Sequence, residues 1–169
     1  EYGIQRGFEK LYSFDLHQPM FYEHFSAVGA FDVIEHLEND AAAVSSMLKM
    51  TKPGGYVFST VPAFSKLWNN HDVMERHKRR YSARQLQSLF LGQGAEIISC
   101  KYLFFSIFPL LVARALYGKV FPKTNFSKDD YETRFQIPFW LNRILLSLLQ
   151  KEAQWFISDG PPFGGSLFI

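Results

Sequence analysis

MLKMTKPGGYVFSTVP, residues 47–62, changes character in its middle, and that change decides the fold. It begins inside AAAVSSMLKM (41–50), which has helical composition, with Asn39 and Asp40 placed to cap its start. KPGG (52–55) then stops the helix, since proline cannot continue it and glycine favours the turn that follows. YVFSTVP (56–62) reads as a buried strand closed by Pro62. Before the helix, AVGAF (27–31) is a short apolar run, too brief for a helix and containing Gly29, and is expected to be a buried strand. Strand, helix, glycine stop, strand is the rhythm of a parallel α/β sheet.

The same rhythm continues outward. SARQLQSLFLGQG (82–94) predicts a helix capped by Ser82 and ended by glycines, and EIISCKYLF (96–104) supplies the next strand. Upstream, KLYSFDL (10–16) is a strand candidate ending at Asp15. From Phe104 to Phe121 the chain is strongly apolar, interrupted by Pro109 and Arg114. A charged linker (121–138) leads into the amphipathic PFWLNRILLSLLQKEAQWFI (138–157), with Pro138 in its first turn, and SLFI (166–169) is a final apolar strand. EYGIQRGFEK (1–10) carries neither an initiator Met nor a signal peptide and reads as the tail of a helix stopped at Gly7. The chain is therefore expected to be a stretch of a longer protein.

Composition narrows the function classes. A chain of 169 residues, nearly half apolar, is enough for one domain with a real core. Its formal charge of +2 lacks the basic excess of a dedicated nucleic-acid binder, so no nucleic-acid partner is expected. A single cysteine, Cys100, excludes an internal disulfide and a cysteine metal cluster, in keeping with a reducing, cytoplasmic setting. The eighteen Phe crowd the second half and point to an apolar surface facing something other than water. Even so, 103–121 is no membrane span: Pro109 and Arg114 break it, and its unbroken apolar run is far short of ~20 residues. It is expected to be a core helix on the sheet, or else an interfacial segment guarding an apolar substrate.

Ligands of open α/β sheets sit beyond the carboxyl ends of the strands, which draws attention to Asp15, to Phe31–Asp32 and to the Val61–Pro62 turn. FDVIEHLEND (31–40) sets five acid or imidazole groups there. On a helix Glu35 and His36 would point about 100° apart, and the H-E-x-x-H pattern of a helical zinc pair is absent, so no metal site is expected. Its acids read instead as helix N-terminal charges. HDVMERHKRRYS (71–82) is the second dense stretch, either a structural loop or an active-site cover. Its histidines can accept a proton near neutral pH and its arginines can clamp an anion.

Taken in order, AFDVIEHLEND, MLKMTKPGGYVFSTVP, HDVMERHKRRYS and SLFLGQGAEIISCKYLFFSIFPL resemble the class I S-adenosylmethionine-dependent methyltransferases. Within them the chain is most similar to the bacterial branch with LEH, LKPGG and HD…H.RRY signatures, and PPFGGSLFI (161–169) resembles that branch's last strand region. The resemblance spans essentially the whole chain. It implies an α/β, Rossmann-like three-layer sandwich, strand order 3-2-1-4-5-7-6, mostly parallel with an antiparallel last strand. KLYSFDL would be the third strand, AVGAF the fourth, YVFSTVP the fifth, EIISCKY the sixth and SLFI the seventh. The family's glycine-rich turn after strand one and the acid ending strand two are not found in these residues, so strands one and two are expected to be missing from the chain. The whole of 1–169 reads as one methyltransferase-like domain with a helical apolar insertion at about 103–157.

By the same resemblance, Asp15 and Leu16 lie near the adenine of S-adenosylmethionine, and Ala30, Phe31 and Asp32 line its methionine end, with His36 on the helix side of that turn. Methyl transfer would leave S-adenosylhomocysteine. If the acceptor must lose a proton as it attacks, His71 or His77 is placed to take it. Arg79, Arg80 and Tyr81 are the candidates for an anionic acceptor, which is a small or lipid-linked molecule if 103–117 flanks it. Two rivals remain open at this point: a non-catalytic fragment or interaction module of the same fold, and a peripheral membrane or lipid-binding protein making contact through 103–121.

Overall fold

The computed structural model describes residues 7, 10–120 and 138–169. The helix expected before Gly7 and most of the linker at 121–138 lie outside the described residues. Four strands form one sheet in the order β1-β2-β4-β3, with β1 Phe25–Phe31, β2 Thr51–Pro62, β3 Lys101–Leu103 and β4 Ser166–Phe168. β1 and β2 run parallel, from Ala27 opposite Tyr56 to Phe31 opposite Thr60, while β4 is antiparallel to both β2 and β3. This is the 4-5-7-6 portion of the expected order, with the last strand reversed.

Helix α1 (Asp40–Met50) makes the crossover that parallel neighbours require. Asn39 caps it by accepting from the Ala42 amide, and Ala43, Val44, Met47 and Met50 form its buried stripe at helical spacing. KPGG ends the helix, yet it lies inside β2: the register jumps from Phe25–Thr51 to Ala27–Tyr56, so Lys52–Gly55 bulge out of the ladder. A side chain at Gly55 would fall 2.8 Å from the Ser26 carbonyl, which is why the bulge needs glycine there. Helix α2 (Asn70–Met74) follows β2. Helix α3 (Ala83–Leu91) starts on a full capping box, Ser82 and Gln85 bonding each other's ends. Ile34, Val44, Met47, Val61, Leu86, Phe90 and Leu167 meet in the core between α1, α3 and the sheet.

Four expectations are corrected. KLYSFDL is not a strand: residues 10–15 have no regular structure, and Leu11 and Tyr12 are exposed. In the expected order its partner would be strand two, and no described strand offers that edge. For the same reason AVGAF is not a buried strand. β1 forms the edge of the described sheet and only Ala30 along it is buried. The strand at 96–104 shortens to Lys101–Leu103.

The last correction concerns 103–121, which holds helix α4 (Phe108–Val120) rather than a core helix. Leu110, Leu116, Tyr117 and Val120 are exposed, and Ala115 is its buried residue. Helix α5 (Phe139–Ile157) follows it before β4, likewise with Phe139, Trp140 and Ile157 exposed. Glu152 ties α5 to the turn that precedes α4: its buried carboxylate accepts from the Phe105 and Ser106 amides and the Ser106 hydroxyl at 2.7–2.9 Å. Burial would raise its pKa, but those bonds outweigh burial and hold it low. No helix among the described residues is long and apolar enough to cross a membrane.

Candidate active site

A cavity of about 450 Å³ opens at the carboxyl ends of β1 and β2. Asp32 and the turn after it form one wall, the 71–80 loop a second, and Phe104, Ile107, Leu111 and Arg114 a third.

The first wall starts with a sharp corner. Asp32 has φ 52°, a left-handed conformation that aspartate tolerates better than most residues. Thr60 on the neighbouring strand fixes it: the Asp32 amide donates to the Thr60 carbonyl at 3.0 Å, and the Thr60 hydroxyl donates to the Asp32 carboxylate at 3.2 Å. The chain then enters a single 3-10 turn, Ile34–His36. This turn buries Glu35 completely, and neither carboxylate oxygen accepts a hydrogen bond from the described residues. Burial pushes that carboxyl up to about 7, with the Asp32 charge adding to the rise.

The second wall is organised by Asp72, also fully buried. Its carboxylate accepts from the Asn69 amide at 2.9 Å, from His77 Nδ1 at 2.9 Å and from Arg80 Nε at 2.7 Å. Burial alone would raise its pKa, yet the Arg80 and His77 bonds outweigh that and hold it below the ordinary range. Arg80 also donates to the Ala63 carbonyl at 3.1 Å. Asp72, His77 and Arg80 of the HD…H.RRY stretch are therefore one bonded unit.

Arg79 and Tyr81, the alternate residues, turn the other way. Both donate to Asp40 at the start of α1, Arg79 at 3.0 Å and the buried Tyr81 hydroxyl at 2.8 Å, and Arg79 also reaches the Leu37 and Glu38 carbonyls. Burial and the Asp40 carboxylate both raise the Tyr81 phenol far above its ordinary value. Lys78 completes the seam: its amide donates to the Glu35 carbonyl, and its ammonium pairs with Glu38. The two dense sequence stretches are thus stapled face to face, 71–82 onto 31–40. Asp40 accepts from this seam, whereas capping of α1 falls to Asn39.

Of the candidate residues, Asp32, His36, His71, His77 and Arg80 line the cavity. Arg79 and Tyr81 do not, and neither do Ala30, Phe31, Asp15 and Leu16. Ala30 is buried in the sheet, Phe31 is 60% exposed, Leu16 packs on the core, and Asp15 is exposed, accepting from the His17 amide and ring. His71 is partly buried. That burial, helped by Arg114, lowers its pKa and favours the neutral imidazole. Sequence reading missed Asp72 and Arg114 as site residues and gave Glu35 only a surface role. The signal for Asp72 was the spacing of Asp72, His77 and Arg80, which returns two donors to one carboxylate.

A mixed sheet with flanking helices and a cavity at its strand ends defines a Rossmann-like α/β protein of the class I methyltransferase fold. Residues 5–100, more than half of the chain, match the model of a family described as a methyltransferase domain, and the chain belongs to that family. Comparison with curated proteins finds no match. Solved structures agree on the fold. A protein from Bacillus halodurans C-125 assigned as a methyltransferase superposes with a TM-score of 0.53 at 16% identity, covering 99% of this chain and 73% of that one. SpnF, a 4+2 cyclase, gives the same TM-score and identity over 99% of this chain and 58% of its own. Phosphoethanolamine N-methyltransferase 2 of Haemonchus contortus, solved with S-adenosyl-L-methionine, gives 0.51 at 18% identity over 91% of this chain. The chain spans 34% of that enzyme's length. That a cyclase stands among them shows that this fold alone does not fix the reaction.

Proposed function

We propose that the cavity is the acceptor side of an S-adenosylmethionine-dependent methyl-transfer site. The observation that carries this reading is the corner at Asp32. A carboxylate is held in a left-handed turn at the carboxyl end of a parallel strand, at the mouth of a cavity lined by titratable groups. The residues fit the cofactor's methionine end: the Asp32 carboxylate and the exposed Phe31 ring offer an acidic and aromatic wall, suited to a cationic sulfonium and ammonium. Asp15 and Leu16 remain the candidates for the adenine end. Bound there, the cofactor supplies an electrophilic methyl group for in-line displacement, so the protein's task is alignment and exclusion of water.

His71, kept neutral by burial, is the group that takes the acceptor's proton. Arg114, and Arg80 beyond its bond to Asp72, place guanidinium groups on the cavity wall that suit an anionic acceptor, while Arg79 and Tyr81 hold the loop onto α1. Phe104, Ile107 and Leu111 make the third wall apolar, and the exposed apolar surface of α4 continues from it. That continuity favours an acceptor with a hydrophobic or lipid-linked portion over a wholly polar one. Helices α4 and α5, inserted between β3 and β4, belong to this acceptor side of a single domain.

Methyl-labelled S-adenosylmethionine, given to the intact protein with fractionated cell extracts, tests the reading. Label should pass to a product in the organic-soluble fraction, and His71→Ala should slow transfer by about 100-fold or more. Label appearing in no fraction, or transfer undiminished in His71→Ala, would overturn it.

A further inference from the structure

We propose that Glu35, His36 and His77 form a binding site for a divalent transition-metal ion on the wall of this cavity. One ligating atom of each residue lies within 4.8 Å of those of the other two. Around a tetrahedral zinc at ~2.1 Å, neighbouring ligand atoms stand roughly 3.4 Å apart, so side-chain rotations closing the group by about 1.4 Å at most complete the site.

Three further observations make this more than a chance cluster. Glu35 is 0% exposed with no hydrogen-bond donor on either oxygen, although buried carboxylates are normally paired. His36 Nε2, its nearest cation-forming neighbour, stands 3.9 Å away, too far for a hydrogen bond. His77 is already oriented as metal-ligating histidines are. Its Nδ1 is held by the buried Asp72 carboxylate at 2.9 Å, which fixes the ring and leaves Nε2 for a ligand. The His36 and His77 rings pack edge to face with centroids 4.7 Å apart, which keeps the two imidazoles side by side on the cavity wall.

Two imidazoles and one carboxylate suit zinc, or cobalt and iron in the same charge state, better than magnesium or calcium. Three protein ligands leave a coordination position toward the cavity, where an ion would hold an acceptor oxygen and favour its deprotonated form. That catalytic role rests on the methyl-transfer reading, whereas binding of the ion does not.

The test is titration of chelator-stripped intact protein with zinc chloride by calorimetry, and with cobalt(II) by visible absorption. One equivalent should bind saturably. Affinity should fall at least about 10-fold in Glu35→Gln and in His77→Ala, with loss of the cobalt bands, and should be unchanged in His24→Ala, outside the cavity. Glu35→Gln preserves side-chain shape and carries the test if His77→Ala does not fold. Absence of saturable binding, or equal affinity in Glu35→Gln, would overturn the site. Zinc binding by a protein that takes up no S-adenosylhomocysteine would sink methyl transfer and leave the site standing. The converse result would do the reverse.

Discussion

Asp72, behind the cavity-lining His77 and Arg80, and Glu35, on the cavity wall, are both sealed from solvent, and the fold treats them in opposite ways. Asp72 collects three donors, and its carboxyl titrates below the ordinary range. Glu35 collects none, and its carboxyl rises to about 7. The Asp72 hub is therefore satisfied by its own neighbourhood, its charge balanced by Arg80 and His77. The 34–36 turn holds a buried carboxylate that no other described residue bonds, its own amide only partly offsetting burial, and in folded proteins such costs concentrate where a ligand binds.

The contrast can be broken most forcefully at Asp72. Replacing it by alanine strands Arg80 and His77 at the cavity wall, and should destabilise the protein by about 3–5 kcal/mol in urea denaturation. A loss under about 1 kcal/mol would show that the hub is dispensable.

The next test uses pH on metal-stripped protein. Glu35 has a folded pKa raised above its unfolded value, so it is neutral in both states at low pH and costs nothing there. As pH climbs from about 4.5 to about 7, ionisation is favoured in the unfolded chain alone, and stability should drop by on the order of 2–3 kcal/mol. Glu35→Gln should remove that drop. Asp72 has the opposite sign: its folded pKa is depressed, so its contribution is present above its unfolded value and fades as pH falls through the folded one. A variant curve parallel to wild type would mean that Glu35 is stabilised by something not seen here.

Smaller effects sharpen the seam between the walls. Tyr81→Phe leaves Asp40 with Arg79 but removes a buried charge-assisted bond, and should cost about 1.5 kcal/mol in thermal unfolding. Lys78→Ala, by contrast, removes a pair whose Glu38 side is largely exposed and screened by solvent, and should leave the thermal unfolding midpoint nearly unchanged.

The strand–helix–strand core was legible because its signals are local. Asn39 and Ser82 cap the helices they precede, and the stripe from Ala43 to Met50 faces the sheet. Where partners come from far away, the sequence misled. KLYSFDL has strand chemistry but no described neighbour to pair with, and the apolar 108–120 helix is largely uncovered by the described residues. The site shows the same division. Helical spacing argued against metal ligands at Glu35 and His36, but these residues occupy a 3-10 turn and the third candidate ligand arrives 41 positions later. Two buried carboxylates with opposite fates look alike as letters; only tertiary placement of donors separates them.

The account turns on the corner at Asp32 facing S-adenosylmethionine's methionine end. Calorimetric titration of S-adenosylhomocysteine into the intact protein and its Asp32→Ala variant measures that directly. Single-site binding, weakened at least about 10-fold (~1.4 kcal/mol) by the substitution, is the predicted result. No binding to natively folded protein, or equal affinity in the variant, would contradict it.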